Sequence, residues 1–230
     1  MSIGSTSMAL VLYVPPRTPM EFIQSEVKRG LATGSISIKN GEVVHQVSFS
    51  KKLNGDEIVE ALQSEAVFTI ATDNKPIVAT HGCGPCIAVG GYETTNKIAF
   101  VVHFAHAGEV EKSGELLFYN ISRLAKKKIE KPIHIHLRGG VTGQSEATIK
   151  AIKTWMQKRD DVPMGIASEE VLLTRWNIGR SLLIDSRDGT VAEYDPRANP
   201  KCRVRSVWDI LSALMSAFIP KIKVVYSPQQ

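Results

Sequence analysis

Residues 80–104 read THGCGPCIAVGGYETTNKIAFVVHF. Two runs rich in β-branched and small residues, Cys86 to Tyr92 and Lys97 to Phe104, flank Glu93-Thr94-Thr95-Asn96, which predicts an antiparallel hairpin. With the turn centred between Thr94 and Thr95, Cys86 falls opposite His103. Directly opposed side chains on one sheet face have Cβ atoms about 4.5–5.5 Å apart, near enough for a thiol and an imidazole to share a hydrogen bond. A bulge at Gly90-Gly91 would slip this register by one, and His81 or His106 would then stand in for His103.

Working outward, the pattern alternates strands and helices. Upstream, Pro15, Pro16 and Pro19 end an apolar first strand (Met8 to Val14), and Thr18-Pro19 opens a helix running to Arg29. Gly34 to Lys39 and Glu42 to Ser50 flank Asn40-Gly41, the signature of a hairpin with a type I′ turn. A short helix is expected from Gly55 to Ser64, then strands at Ala66 to Ala71 and Pro76 to Thr80. Downstream, the expectations are a helix from Gly114 to Lys128, a strand from Lys131 to Arg138, a turn at Gly139-Gly140, and a helix from Ser145, its capping residue, to Gln157. Strands follow at Val171 to Thr174, Ser181 to Asp185 and Thr190 to Tyr194, the last two joined through Arg187-Asp188-Gly189, and an amphipathic helix spans Val204 to Phe218. The fold class is therefore mixed α and β, with an N-terminal extension (1–65), a central domain (66–196) and a C-terminal helix and tail (197–230).

Composition limits the function. At 230 residues, 43% hydrophobic and 22% charged, the chain is long enough to bury a core without disulfides. Its 28 Lys+Arg against 23 Asp+Glu leave +5, too mild and scattered to imply nucleic acid. The odd count of three Cys suits a reducing, cytoplasmic compartment, with secretion as an effector left open. The N-terminus lacks the basic region of a signal peptide, and Val207 to Ile219 is shorter than the ~20 residues of a membrane span.

Cys83-Gly84-Pro85-Cys86 spells a thioredoxin-type dithiol. That chemistry needs the motif to open a helix, whose N-terminus lowers the thiol pKa, and here Ile-Ala-Val-Gly-Gly-Tyr follows. A zinc half-site lacks a second Cys pair, Cys202 being remote in sequence. The alternative uses Cys86 as a nucleophile activated by His103, since an imidazole that takes the thiol proton generates the reactive thiolate. Thr80 is placed to orient the imidazole. The loop freed by Gly82, Gly84 and Pro85 offers the Cys86 N–H as an oxyanion donor. Cys83, His81 and His106 are accessory candidates, and a buried Cys and a core His pairing by chance is the structural alternative.

Over Thr80-His81-Gly82-Cys83-Gly84-Pro85-Cys86-Ile87-Ala88-Val89 and Lys97 to His103, the sequence resembles the chemoreceptor glutamine deamidases of the CheD family. Their pattern is Thr-x-Gly-x-Gly-Ser-Cys-Val-Ala-Val, a short turn, and a strand ending Ala-His. The family's catalytic Cys, His and Thr fall on Cys86, His103 and Thr80 with the same spacings. The departures are Pro85 for Ser, Phe104-Ala105-His106 after the His, and no recognisable Ile-Gly-x-Arg-Asn segment, although Asn177-Ile178-Gly179-Arg180 shares letters with it. The resemblance implies a layered sandwich of largely antiparallel or mixed sheet with flanking helices. It also implies a cysteine hydrolase that converts glutamine of a protein substrate to glutamate, in chemotaxis-type signalling or in a host cell, without metal or organic cofactor. The competing expectation from another class is an inactive deamidase-like regulator that binds a partner through its terminal extensions. Of the remaining residues, His134 and His136 are two apart on a strand, read as ordinary strand positions; Trp155, Trp176 and Trp208 are core or interface anchors. Cys202 has no assigned role.

Overall fold

The computed structural model describes residues 54–173, 180–203 and 221–229, together with the backbone of 33–39 and 42–48. The expected first strand, first helix, Asn40-Gly41 turn, Trp176, Trp208 and Val204 to Phe218 helix lie outside the described residues. In chain order the strands are β1 (Thr33–Lys39), β2 (Glu42–Ser48), β3 (Ile58–Ala61), β4 (Glu65–Ile70), β5 (Ile77–Cys83), β6 (Ile87–Glu93) and β7 (Ile98–Phe104). Helix α1 (Ala107–Leu124), β8 (Ile133–Val141), α2 (Glu146–Met156), β9 (Met164–Leu173), β10 (Arg180–Asp185), β11 (Val191–Ala192) and β12 (Lys223–Tyr226) follow. β1 and β2 form a hairpin with Lys39 opposite Glu42, as their alternation predicts.

The other strands make two mixed sheets, one ordered β12-β4-β7-β6-β8-β9 and the other β11-β10-β5-β3. Strand alternation divides the core between three layers. Phe68, Ile87, Val89, Phe100, Val102 and Phe104 face the helices, where they meet Leu117, Phe118, Ile121, Ile152 and Trp155. Val67, Ala88, Ala99 and Val101 face the other way, onto Val78, Leu182 and Ile184 of the four-stranded sheet. The result is an α+β layered sandwich, helices on sheet on sheet. Every residue of β6 and β7 is buried, which explains their near-continuous apolar sequence. Gly90 lets the sheets approach closely: a Cβ there would lie 2.5 Å from Leu182 Cδ2.

Several expectations are corrected. Gly55 to Ser64 is not a helix: Asn54 accepts from Asp56 N and closes a short 3-10 turn, after which Ile58 and Val59 enter β3, parallel to β5. β3 and β12, in the stretches read as extensions, thus belong to the two sheets, β12 pairing parallel with β4. Helix α1 starts seven residues before Gly114, because Glu109 in its first turn reaches back to accept from Ala105 N at 2.7 Å. Gly114 is a packing position within the helix. Trp155 Nε1 donates to its carbonyl at 3.2 Å, and a Cβ would strike the indole. Gly139 and Gly140 do not end β8 as a turn; both adopt positive φ inside the strand. The Arg187-Asp188-Gly189 connection is a hairpin turn as expected, Gly189 having φ +77°.

Candidate active site

The β6–β7 hairpin forms without a bulge, but its register is two residues from the one expected. Glu93 pairs with Ile98 and Ala88 with His103. Lys97 belongs to the turn, with φ +52°, and the Glu93 carboxylate accepts from Thr95 N and Asn96 N, holding a four-residue connection. Cys86 is therefore not opposite His103; it ends the loop just before β6. The shift of two keeps His103 on the inter-sheet face, where Ala88 contributes only a methyl beside the imidazole.

β5 supplies the partner. Thr80 Oγ1 lies 2.9 Å from His103 Nδ1 and donates its own proton to Ala61 O at 2.7 Å. A hydroxyl has one proton, so Oγ1 must accept from the imidazole. This places the neutral ring's proton on Nδ1 and leaves Nε2 as the basic nitrogen. Thr80 and His103 are both fully buried. The expected pairing of these two residues is present.

The Cys83 thiol is in contact with the ring, with Sγ 3.6 Å from Nδ1 and 3.5 Å from Nε2. Near-equal distances to both nitrogens put the sulfur over the ring face, because in the plane it would overlap the carbon between them. The Nε2 lone pair lies in that plane, so Cys83 packs on the imidazole without lying along the proton-accepting direction of Nε2. Cys86 shares the same inter-sheet cluster and is 8% exposed, against 0% for Cys83. Of the two cysteines, it is the one that reaches solvent. Strand β6, not a helix, follows the pair, so the setting of a thioredoxin dithiol is absent.

The loop between the two cysteines is held from outside. Gly82 has φ +74°, and Gly84 N donates to Gly82 O across Cys83 at 3.0 Å. Gly140 N donates to Gly84 O at 2.8 Å and to Cys86 O at 3.0 Å. Ser145 was expected to cap α2, but its hydroxyl makes no capping bond. It donates to Pro85 O at 2.7 Å and accepts from Val141 N at 2.9 Å. In a trans peptide the carbonyl and the next N–H point in opposite directions, and no cis bond occurs among the described residues. Holding Pro85 O toward Ser145 therefore aims Cys86 N–H to the other side of the loop. Ser145 and Gly140 are contributions that the sequence reading missed; the paired glycines were the available signal.

Gly139 supports the loop from beneath. A Cβ there would lie 2.5 Å from Cys86 O and 2.9 Å from Cys83 O, at φ +97°. Left-handed strain of about 1–2 kcal/mol and overpacking of about 1–3 kcal/mol add together. Gly139→Ala is expected to cost about 2–5 kcal/mol in chemical denaturation.

The remaining histidines are elsewhere. His81 is on the opposite face of β5 from Thr80, with its ring 6.2 Å from that of Tyr194. His106 precedes α1, with Nε2 3.9 Å from Glu109 Oε1; neither replaces His103 beside Thr80. His136 lies 2.8 Å from Ser168 Oγ, a hydroxyl that also accepts from Arg138. Burial, then the charges of Arg138 and His134, lower its pKa from 6.5 to about 4. The unfolded chain binds this proton below pH 6.5 and the fold resists it, so the contribution is complete above 6.5 and is lost as pH falls toward 4. The urea midpoint is expected to decline over that window, and less steeply in His136→Gln. On the neighbouring strands, Arg138 pairs with Glu170 at 3.1 Å and Arg180 with Glu193 at 3.9 Å.

Compared with protein-family models and with curated proteins, the sequence finds no match. Among the described residues, no helix is long and apolar enough to cross a membrane.

Proposed function

We propose that the protein is a CheD-like cysteine amidohydrolase that deamidates glutamine side chains of a protein substrate, with Cys86 as nucleophile, His103 as acid and base, and Thr80 as the residue that orients it. The observation that carries this reading is the Ala61–Thr80–His103 chain of hydrogen bonds, which fixes a buried imidazole in the tautomer a base requires. Nε2 takes the Cys86 proton and the thiolate attacks the amide carbon of the glutamine. The oxyanion is met by Cys86 N–H, whose direction is set by the Ser145 bond to Pro85 O. Protonated His103 gives its proton to the departing nitrogen, ammonia leaves, and a thioester remains. Water deprotonated by the same nitrogen then releases glutamate and the thiol, so one glutamine and one water become one glutamate and one ammonia.

The family resemblance supports the assignment of roles at Thr80, Cys86 and His103, and the substrate class comes from it alone. Cys83 is a residue that packs on the imidazole, outside the family pattern. Incubation with glutamine-containing signalling proteins is expected to release ammonia and raise the substrate mass by about one unit per site. Binding to a partner without ammonia release would instead favour the inactive regulator, and reversible Cys83–Cys86 disulfide exchange with a protein disulfide would favour an oxidoreductase.

A further inference from the structure

On the outer face of the four-stranded sheet, behind Thr80, three side chains converge that the chemistry above does not use. Alternation along β5 turns His81 away from His103. Glu60 comes from β3, the parallel neighbour of β5, where it pairs with Ala79, and Cys202 follows the 3-10 turn Pro196–Ala198. Cys202 Sγ lies 3.8 Å from His81 Nε2, and one ligand atom from each of Glu60, His81 and Cys202 lies within 4.8 Å of the others. In a tetrahedral zinc site, with sulfur at about 2.3 Å and nitrogen at about 2.0–2.1 Å, two such ligands stand about 3.6 Å apart. The thiol and the imidazole are thus already near chelating separation.

The carboxylate is oriented for the same purpose. Glu60 is 3% exposed, one oxygen accepting from the Tyr194 hydroxyl and the other from Arg203 N at 2.6 Å. Tyr194 in turn accepts from Asn199 Nδ2 at 2.8 Å. These are neutral donors that fix a carboxylate while leaving it lone pairs to give, the usual outer support of a metal ligand. Nearby cations have acidic partners of their own: the Arg203 guanidinium meets Glu65 at 2.7 Å, and Lys201 meets Asp56.

We propose that Glu60, His81 and Cys202 bind one divalent cation of the zinc class. Thiolate and imidazole select Zn2+ or Co2+ over Mg2+ and Ca2+, which prefer oxygen alone. Without the ion, burial and then Glu60 push the Cys202 thiol up to about 11, so binding displaces its proton. The ion joins β3, β5 and the 195–203 segment, three parts remote in sequence, and so steadies the strand that carries Thr80. The site is independent of the deamidase reading.

Titration of the metal-stripped full-length protein with Co2+ is expected to show one bound equivalent with a thiolate-to-cobalt charge-transfer absorption, displaced by one equivalent of Zn2+. Cys202→Ser, its fold checked by far-UV circular dichroism, is expected to remove that absorption. Tyr194→Phe is expected to keep the stoichiometry and weaken Zn2+ binding about 10–100-fold. Should Cys202→Ser fail to fold, His81→Gln is expected to weaken Zn2+ at least as much as Tyr194→Phe. Absence of the absorption in the unmodified protein overturns the assignment. So does an absorption that survives Cys202→Ser and disappears in Cys83→Ala/Cys86→Ala.

Discussion

Cys86→Ala is expected to lower glutamine deamidation about 10⁴-fold or more, the scale on which loss of a covalent nucleophile is felt, whereas Cys83→Ala is expected to keep turnover within about tenfold. The contrast separates two thiols only three positions apart. Cys83 Sγ touches the imidazole face, nearly equidistant from both nitrogens, and it is sealed from solvent. A protein side chain must reach the reacting sulfur, and Cys86 is the partly accessible one, at the end of the loop braced by Gly140 and Ser145. Rates of ammonia release from the two variants, with intact-mass analysis of the substrate, check this. The opposite ranking would transfer the nucleophile to Cys83; equal activity in both variants would sink the cysteine mechanism.

Thr80→Val is expected to slow the reaction about 10²–10³-fold, about 2.7–4 kcal/mol of transition-state stabilisation, while Thr80→Ser restores most of the rate. Valine keeps the shape and removes the acceptor. Nδ1–H then loses its partner in a fully buried site, and the ring gains no benefit from keeping Nε2 unprotonated. Thr80 is a positioning residue in this scheme, so the loss belongs in kcat more than in KM. The pH at half-maximal kcat should also shift, which a purely structural role would leave in place. Thr80→Val also strips a donor from Ala61 O, a cost of about 1–3 kcal/mol to stability. Serine rescue distinguishes the two effects.

The local patterns were legible because they depend on neighbours in sequence. Alternating apolar residues on either side of Asn40-Gly41 specified a hairpin, and Asp188-Gly189 specified another. Errors arose where distant groups decide. Gly114 reads as a helix start, yet it sits inside α1, where the space left by its missing side chain is filled by Trp155, 41 residues away. Ser145 is placed as a helix cap, but the Pro85 carbonyl takes its hydroxyl. Turn symmetry puts Cys86 opposite His103, but Lys97 adopts a left-handed conformation that lengthens the turn and brings Ala88 there.

The sequence by itself determined the mixed α and β class and the β6–β7 hairpin. Parity along a strand and the chemistry of turn residues are properties of short segments. Only the tertiary structure decided that Thr80 meets His103, that the Cys83 sulfur lies on the imidazole, which carbonyl consumes the Thr80 proton, and that Cys202 comes to rest beside His81 and Glu60. Those outcomes depend on how two sheets and a distant segment pack, where one ångström of approach or one residue of register changes the partner. The motif Cys83-Gly84-Pro85-Cys86 is the clearest case: its letters suggest a redox pair, but a strand and not a helix follows it, and Cys83 is sealed from solvent while Cys86 is 8% exposed.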